Sequence, residues 1–412
     1  MKIGIVTQYY PPEPQLLPEQ VATYLAKKGH RVRVLTGLPN YPAGRLCPGF
    51  GRSWSLRGFQ NGIDVKRVPL FPSHSGNPVA RILNYSSFAL SALSGKAYLA
   101  GADVIYVYGA GIMVALAPHS WRKRVPYVLH IQDLWPESVM ESGMVGGGPL
   151  LTWLEGALNA FCGRMYRGAS AVLGISPSMT KTLIQRGADP ETAKTVYNWG
   201  SEADVRPSRK QVAGSGNVLS LLYAGNLGQA QDLATVLKGL ALLDDVSGVH
   251  LDIVGEGIEE VNLRKLANNL GLTNVEFHSR VSSEEVNRFY DRCDFHLVPL
   301  KDVPVFRMTI PSKFQAGLMR GVPVITSVQG DVAELVERNR VGIVVRGQDP
   351  VSWSEAVRSA SSTLAKQHDA MARRSMDMYR RCMSVDRSLS RMEAALVLAA
   401  SGRLPSRYEV VR

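Results

Sequence analysis

The feature that most narrows the possible folds is an alternation of short apolar runs with amphipathic helical stretches, and the alternation occurs twice. In the first half "KIGIVTQ", "RVRVLTG", "GIDVKRVPL", "DVIYVYG", "YVLHIQD", "ASAVLGIS" and "AKTVYNWG" read as strands. Helical patterns stand between them, such as "PEQVATYLAKKGH", closed by Gly29, and "PSMTKTLIQRGA". "DVIYVYG" and "YVLHIQD" are apolar on both faces, as strands inside a covered parallel sheet must be. The pattern restarts at "VLSLLYAGNLG" and continues through "VHLDIVGEG", "VEFHSRV", "DFHLVPL" and "GIVVRG". Repeated βα units predict an α/β fold of two facing Rossmann-like domains with parallel sheets.

A chain of 412 residues exceeds one ordinary core and suits two domains of roughly 150–200 residues each. The polar, Gly- and Ser-rich "EADVRPSRKQVAGSGN" (202–217) reads as the linker or long loop between them. The expected division is 1–200, 201–380, and a helical tail 381–412 that crosses back to the first domain. In open α/β sheets ligands lie beyond the carboxyl ends of the strands, so the cleft between two such sheets is the expected active site.

The net charge of +12 points to an acidic partner such as a phosphorylated metabolite or an anionic membrane face, or else to a solubilising surface. The basic residues are spread along the chain without an aromatic-basic motif, which argues against nucleic acid. Cys47, Cys162, Cys293 and Cys382 form no metal-binding spacing and read as reduced thiols of a cytoplasmic protein. "MKIGIVTQYY" reads as a strand rather than a signal peptide, and no apolar run reaches the ~20 residues that span a bilayer. The nearest, "RILNYSSFALSALSGKAYLAGA" (81–102), is interrupted by serines and Lys96 and reads as an amphipathic or buried helix.

Three stretches carry chemistry. In "LLYAGNLGQAQDL", Gly225, Asn226, Leu227 and Gly228 stand between a strand and a helix. Such a loop either lets backbone N–H groups approach a phosphate or is simply a tight turn. In "TIPSKFQAGLMRGVPVI", Pro311 suits a first helical turn. Ser312 and the amides of Lys313, Phe314 and Gln315 can bind an anion, with the Lys313 ammonium and Arg307 adding charge. The alternative is a helix cap followed by a surface lysine. "YVLHIQDLWPESV" ends a strand with His130, Gln132 and Asp133, followed by Glu137. His130 there either contacts substrate or is a satisfied structural residue, and Glu137 either belongs to the polar cluster or caps the next helix.

Together "YYPPEP", "VATYLAKKGHRVRVLTGLPNYPAG", "HIQDLWPESV", "GISPSMTKTL", "YAGNLGQAQDL", "LDIVGEG", "VEFHSRV" and "TIPSKFQAGLMRGVPVI" resemble, in order and over nearly the whole chain, the GT-B-fold retaining glycosyltransferases of family four. The most similar subgroup is that typified by the N-acetyl-L-fucosamine transferase of O-antigen and capsule assembly. The resemblance implies that His130 contacts the donor sugar, and His130 and Asp133 are the catalytic candidates. It places Lys313 on the donor diphosphate, Gly225 and Asn226 in the phosphate loop, Arg280 and Val281 at the nucleobase, and Glu256 at the border of that pocket. It implies no metal and no cofactor, because helix ends and basic side chains neutralise the leaving diphosphate.

The chain departs from the family pattern at several positions. Met308 and Ala316 stand where the family has glutamates, the second of which binds the ribose, and Gln315 is the candidate substitute. Asn226 and Gln231 replace the family's arginine and lysine, leaving more charge to Lys313 and Arg307. Gln15, Leu16 and Leu17 replace the glycines that usually follow "PPEP". The expected activity is transfer of a sugar from a UDP-sugar or another nucleotide sugar, with retention. The expected acceptor is a saccharide of surface-polymer assembly, polyprenyl-diphosphate-linked or otherwise lipid-linked. The basic balance and residues 81–102 suit attachment to the anionic inner face of the cell membrane. A nucleotide-sugar 2-epimerase and a non-catalytic nucleotide-sugar-binding protein are the competing readings.

Overall fold

The computed structural model describes residues 1–51, 53–73, 78–109, 111–123, 125–135, 137, 149–200, 202, 218–243, 248–363 and 365–402. The linker expected at 202–217 lies outside these residues except for Glu202, as does 403–412 of the tail. The chain divides into two compact units, Met1–Val196 with Leu389–Arg412, and Tyr197–Ser388. Each is described by itself.

The first unit contains β1 Lys2–Thr7, α1 Leu16–Lys27, β2 Arg31–Gly37, β3 Leu56–Gln60, β4 Ile63–Val68, α2 Pro78–Ala92 and β5 Val104–Gly109. It continues with α3 Leu116–Trp121, β6 Tyr127–Ile131, α4 Pro149–Gly168, β7 Ala171–Gly174, α5 Pro177–Gln185 and β8 Lys194–Thr195. The sheet order is β3-β4-β2-β1-β5-β6-β7-β8, and all neighbours are parallel except β3 and β4. Central β6 is buried at all five positions, which its continuous apolar run requires. The "GISPSM" stretch starts α5: Ser176 Oγ accepts the Met179 amide at 3.2 Å, and Pro177 occupies a position whose N–H would be unpaired.

Strand β3 is an addition to the expected series. Asn61 and Gly62 both have positive φ, 51° and 77°, as a two-residue type I′ hairpin demands. That turn folds "LRGFQ" back against "IDVKRV" as the antiparallel edge. The predicted last strand of this half, "AKTVYNWG", is reduced to Lys194–Thr195.

The second unit contains β9 Leu219–Ala224, α6 Leu233–Leu240, β10 Val249–Val254, α7 Glu260–Asn269, β11 Val275–His278, α8 Ser283–Arg292 and β12 Phe295–Val298. It continues with α9 Ser312–Met319, β13 Val324–Thr326, α10 Asp331–Asn339, β14 Gly342–Val344, α11 Pro350–Ser361 and α12 Ala365–Cys382. Its parallel sheet has the order β11-β10-β9-β12-β13-β14, which is Rossmann winding. One face packs Tyr223, Leu237, Phe295 and Trp353 into the main core, and the other buries Leu222, Val254 and Tyr290 under α8.

Helix α13, Val385–Ser401, spans the boundary between the units. From Leu389 it belongs to the first, where Glu393 accepts a hydrogen bond from Tyr24 Oη at 3.1 Å and meets His30 Nε2 at 2.8 Å.

Candidate functional site

In the second unit the turns after β9 and β10 are pressed together backbone to backbone. The Gly225 amide donates to the Val254 carbonyl and the Leu227 amide to the Glu256 carbonyl, both at 2.9 Å. Gly225 has φ 149°, and a Cβ there would come within 2.3 Å of Lys313 Cε and 2.8 Å of its Nζ. Glycine at 225 therefore makes the space that the Lys313 side chain fills. The two phosphate-binding candidates of the sequence, separated by almost ninety residues, form one locus.

The Lys313 ammonium lies 5.3 Å from the centroid of the Tyr223 ring, an aromatic face that attracts cations. Burial pulls its pKa down from the ordinary lysine value to about 8, and no charged group among the described residues offsets that cost. A desolvated cation without a carboxylate beside it, at the start of helix α9, is a locus for an external anion.

Beside this locus opens a pocket of about 430 Å³. It collects five of the sequence candidates, Gly225, Asn226, Glu256, Arg280 and Val281, from three separate loops. Exposed Glu256 accepts the Arg280 amide through Oε1 at 3.4 Å. Ser282 is held by a capping box with Glu285, its amide donating to Oε2 at 3.0 Å while Oγ accepts the Glu285 amide at 3.2 Å.

Arg320 and Tyr290 also line the pocket, and sequence reading did not select them. The Arg320 guanidinium stacks on the Tyr290 ring at 4.4 Å and donates through Nε to Asn287 Oδ1 at 2.9 Å. The available signal was spacing: Arg320 lies one helical turn after Ala316, which also lines the pocket.

Other candidates lie differently. Pro311 is the extended cap residue, and Ser312 begins α9. The Phe314 amide is engaged, donating to the Pro311 carbonyl at 3.0 Å, and its ring is fully buried, so it offers no anion contact. Gln315 requires a correction as well: it is 2% exposed and donates through Nε2 to the Asn198 carbonyl at 2.9 Å. A side chain turned into the core with its donor engaged is not a ribose ligand. Arg307 is committed to Asp302 through two hydrogen bonds of 2.7 and 2.8 Å. Gln231 Oε1 accepts the Gly228 amide at 3.0 Å and meets Asn226 Nδ2 at 3.4 Å, so these two neutral residues stiffen their own loop.

In the first unit His130 is 1% exposed and shares a 2.7 Å hydrogen bond between Nδ1 and the Tyr106 hydroxyl, with Tyr108 edge-on at 5.9 Å. Burial pulls its pKa down to about 4, which keeps the imidazole neutral. Asp133 keeps solvent contact, yet the surrounding protein displaces enough water to push its carboxyl up to about 6, against the pull of Arg81. Glu137 is paired with Arg186, whose Nη1 also donates to the Trp135 carbonyl at 2.8 Å.

The first unit also explains "PPEP" and "LPNYP". Glu13 is 2% exposed, and its carboxylate accepts the amides of Tyr10 at 3.0 Å, Asn40 at 2.8 Å and Tyr41 at 2.9 Å. One buried side chain thus fastens the turn after β1 to the turn after β2. Around this latch Tyr9 faces Tyr41 at 5.4 Å, and Tyr85 meets Trp135 edge-on at 5.6 Å. These aromatic groups and Asp133 cluster at the carboxyl end of the sheet.

Comparison with known proteins gives this geometry a setting. Residues 18–199 match the family model described as glycosyl transferase 4-like domain, and residues 219–362 match glycosyl transferases group 1. Over 297 residues, 68% of this chain and 72% of the relative, the chain is 29% identical to WcaI of Escherichia coli (strain K12), a protein named for glycosyl transfer in colanic acid biosynthesis. Among solved structures it resembles Anabaena Alr3699/HepE in complex with UDP and glucose, with TM-score 0.65, 18% identity and coverage of 96% of this chain and 99% of that one. It likewise resembles sucrose-phosphate synthase from Thermosynechococcus elongatus, with TM-score 0.69, 14% identity and coverage of 98% and 100%. The two family models, matched in succession on two wound α/β units, set the epimerase and non-catalytic readings aside. The chain belongs to the GT4-like, group 1 glycosyltransferases and has the GT-B fold.

Proposed function

We propose that this glycosyltransferase moves a sugar from a nucleoside diphosphate, UDP in the first instance, to a saccharide acceptor of surface-polysaccharide assembly, with retention at the transferred carbon. The observation that carries the reading is the Lys313 ammonium, desolvated, over Gly225 and without an acidic partner among the described residues. It is placed to take the diphosphate, with the start of α9 adding its partial positive charge. The name of WcaI supports the polysaccharide context, and the complexes of HepE support UDP.

In this reading Val281 and the Arg280 backbone border the base, and Glu256 accepts from the ribose hydroxyls in place of the acid that Ala316 lacks. A carboxylate at the end of the second strand of a Rossmann unit is well positioned for that task. Lys313 then stabilises the charge that builds on the departing diphosphate, whose own oxygen takes the proton of the acceptor hydroxyl. Asp133, ionised above about pH 6, orients a sugar hydroxyl. His130, enclosed and neutral, supports that strand end through Tyr106.

A lipid-linked acceptor fits the first unit. Helix α2 leaves Ile82, Leu83 and Leu90 exposed, with Arg81 and Lys96 near its ends. Among the described residues no helix is long and apolar enough to cross a membrane. This surface accordingly docks on an anionic leaflet rather than spanning it.

Calorimetric titration of the full chain with UDP tests the core of the reading. Saturable binding that falls in Lys313→Ala is expected. Absence of UDP binding, or equal binding by the variant, would overturn it.

A further inference from the structure

Strands β10 and β11 carry an unusual set of side chains on one face. His250 and Asp252 alternate on β10, Glu276 and His278 on β11, and the parallel register sets Asp252 beside Glu276. Period-two alternation therefore points all four to the side of the sheet that α8 covers. One ligating atom each from His250, Asp252 and Glu276 lies within 4.8 Å of the others. His278 Nε2 joins them at 2.7 Å from Asp252 Oδ1 and 3.7 Å from Glu276 Oε1.

We propose that His250, Asp252 and Glu276, with His278 beside them, form a binding site for a divalent transition-metal ion of the zinc type. Two imidazoles and two carboxylates make the nitrogen-and-oxygen donor set that Zn²⁺ accepts, whereas Mg²⁺ and Ca²⁺ select oxygen alone. Asp252 is 3% exposed, so its charge needs a close counter-charge. In the free protein that charge comes from Arg292, whose Nη2 stands 3.4 Å from Asp252 Oδ2. Arg292 is a replaceable partner, because its side chain is 57% exposed and can turn away when an ion takes its place. Phe289 packs on the His278 ring at 4.8 Å and covers that side of the cluster.

The site is separate from the donor locus, since none of its four residues lines the pocket. It is nevertheless tied to that pocket by the backbone. The His278 carbonyl accepts the Gly255 amide at 3.0 Å, and the chain runs on from His278 to Arg280 and Val281 on the pocket wall. An ion bridging β10 and β11 would pin this edge strand, and with it the loop that borders the nucleotide.

Titration calorimetry of the chelator-treated full chain with ZnCl₂, with MgCl₂ in parallel, tests the proposal. One saturable zinc site is expected, with no saturable magnesium binding. His250→Ala and Glu276→Gln each lower zinc affinity at least about tenfold, since even loss of an outer-shell partner costs that much. Both residues retain solvent contact, so these variants are expected to keep the far-UV spectrum of the parent. Absence of saturable zinc binding in the parent overturns the proposal. So does zinc binding of unchanged affinity in either variant, or magnesium binding as tight as zinc.

Discussion

The carboxyl ends of the two sheets share a winding but differ in what they expose. In the first unit β4-β2-β1-β5-β6-β7, and in the second β11-β10-β9-β12-β13-β14, follow the same strand order. After β1 and β2 the first unit places bulky turns held by a buried carboxylate, with Tyr9, Tyr41 and Asp133 around them. After β9 and β10 the second places glycines that let a lysine lie against the backbone. The same scaffold therefore offers aromatic faces and hydrogen-bonding groups at one end, which suit a sugar, and cationic and backbone groups at the other, which suit a diphosphate. In the proposed reading, side-chain bulk at two turns decides which ligand chemistry each sheet end takes.

The sharpest way to break this contrast is to remove the cation. Lys313→Ala is expected to lower kcat/KM about 10²–10³-fold, the usual scale for losing one group that stabilises transition-state charge, and to weaken UDP binding in calorimetry. Next in size is the latch of the first unit. Glu13→Ala leaves the Tyr10, Asn40 and Tyr41 amides without their acceptor and is expected to cost about 2–4 kcal/mol in urea unfolding. UDP affinity of the folded variant should not change. A parallel fall in UDP affinity would show that the two sheet ends do not divide the ligands as described.

A smaller effect is expected at the ribose. Glu256→Gln should weaken UDP about tenfold, roughly 1.4 kcal/mol, while inorganic pyrophosphate binds parent and variant alike. Equal loss for both ligands would move Glu256 from the ribose to the phosphates.

The pH dependence separates the two ends by their titrating groups. Loss of the Lys313 proton above about pH 8 should weaken UDP binding, by at most about tenfold per pH unit. Asp133→Asn should remove the acid limb near pH 6 from the rate profile and leave the basic limb in place. Stability of the free protein follows the opposite sense at Lys313. Its folded pKa lies below the unfolded lysine value, so the unfolded chain binds more protons between about 8 and the ordinary lysine range. Across that window this group makes stability rise with pH, and urea titrations at two pH values check the sign.

Much of the architecture was legible because burial on both faces of a parallel strand leaves a continuous apolar run that local reading detects. Strand β6 and the paired βα series are examples. Edge strand β3 escaped because "LRGFQ" is mostly solvated, although Asn61–Gly62 was a readable hairpin signal. At the proposed donor site, Gly225 and Asn226 were legible as a loop end, Glu256, Arg280 and Val281 came only from the family resemblance, and all five line one pocket. Gln315 was misjudged as a ribose ligand because sequence shows that a residue follows a helix start but not which way its side chain turns, and Phe314 because its amide is taken by the Pro311 carbonyl.

The sequence by itself determined two wound α/β units and the chemistry available at their strand ends, since periodicity and turn residues are local properties of the chain. Only the tertiary structure decided the rest. It laid Lys313 in the space that Gly225 leaves, engaged Gln315 and Arg307 elsewhere, and brought His250, Asp252, Glu276 and His278 together. These are relations between residues far apart in the chain, and packing and strand register fix them rather than any local preference.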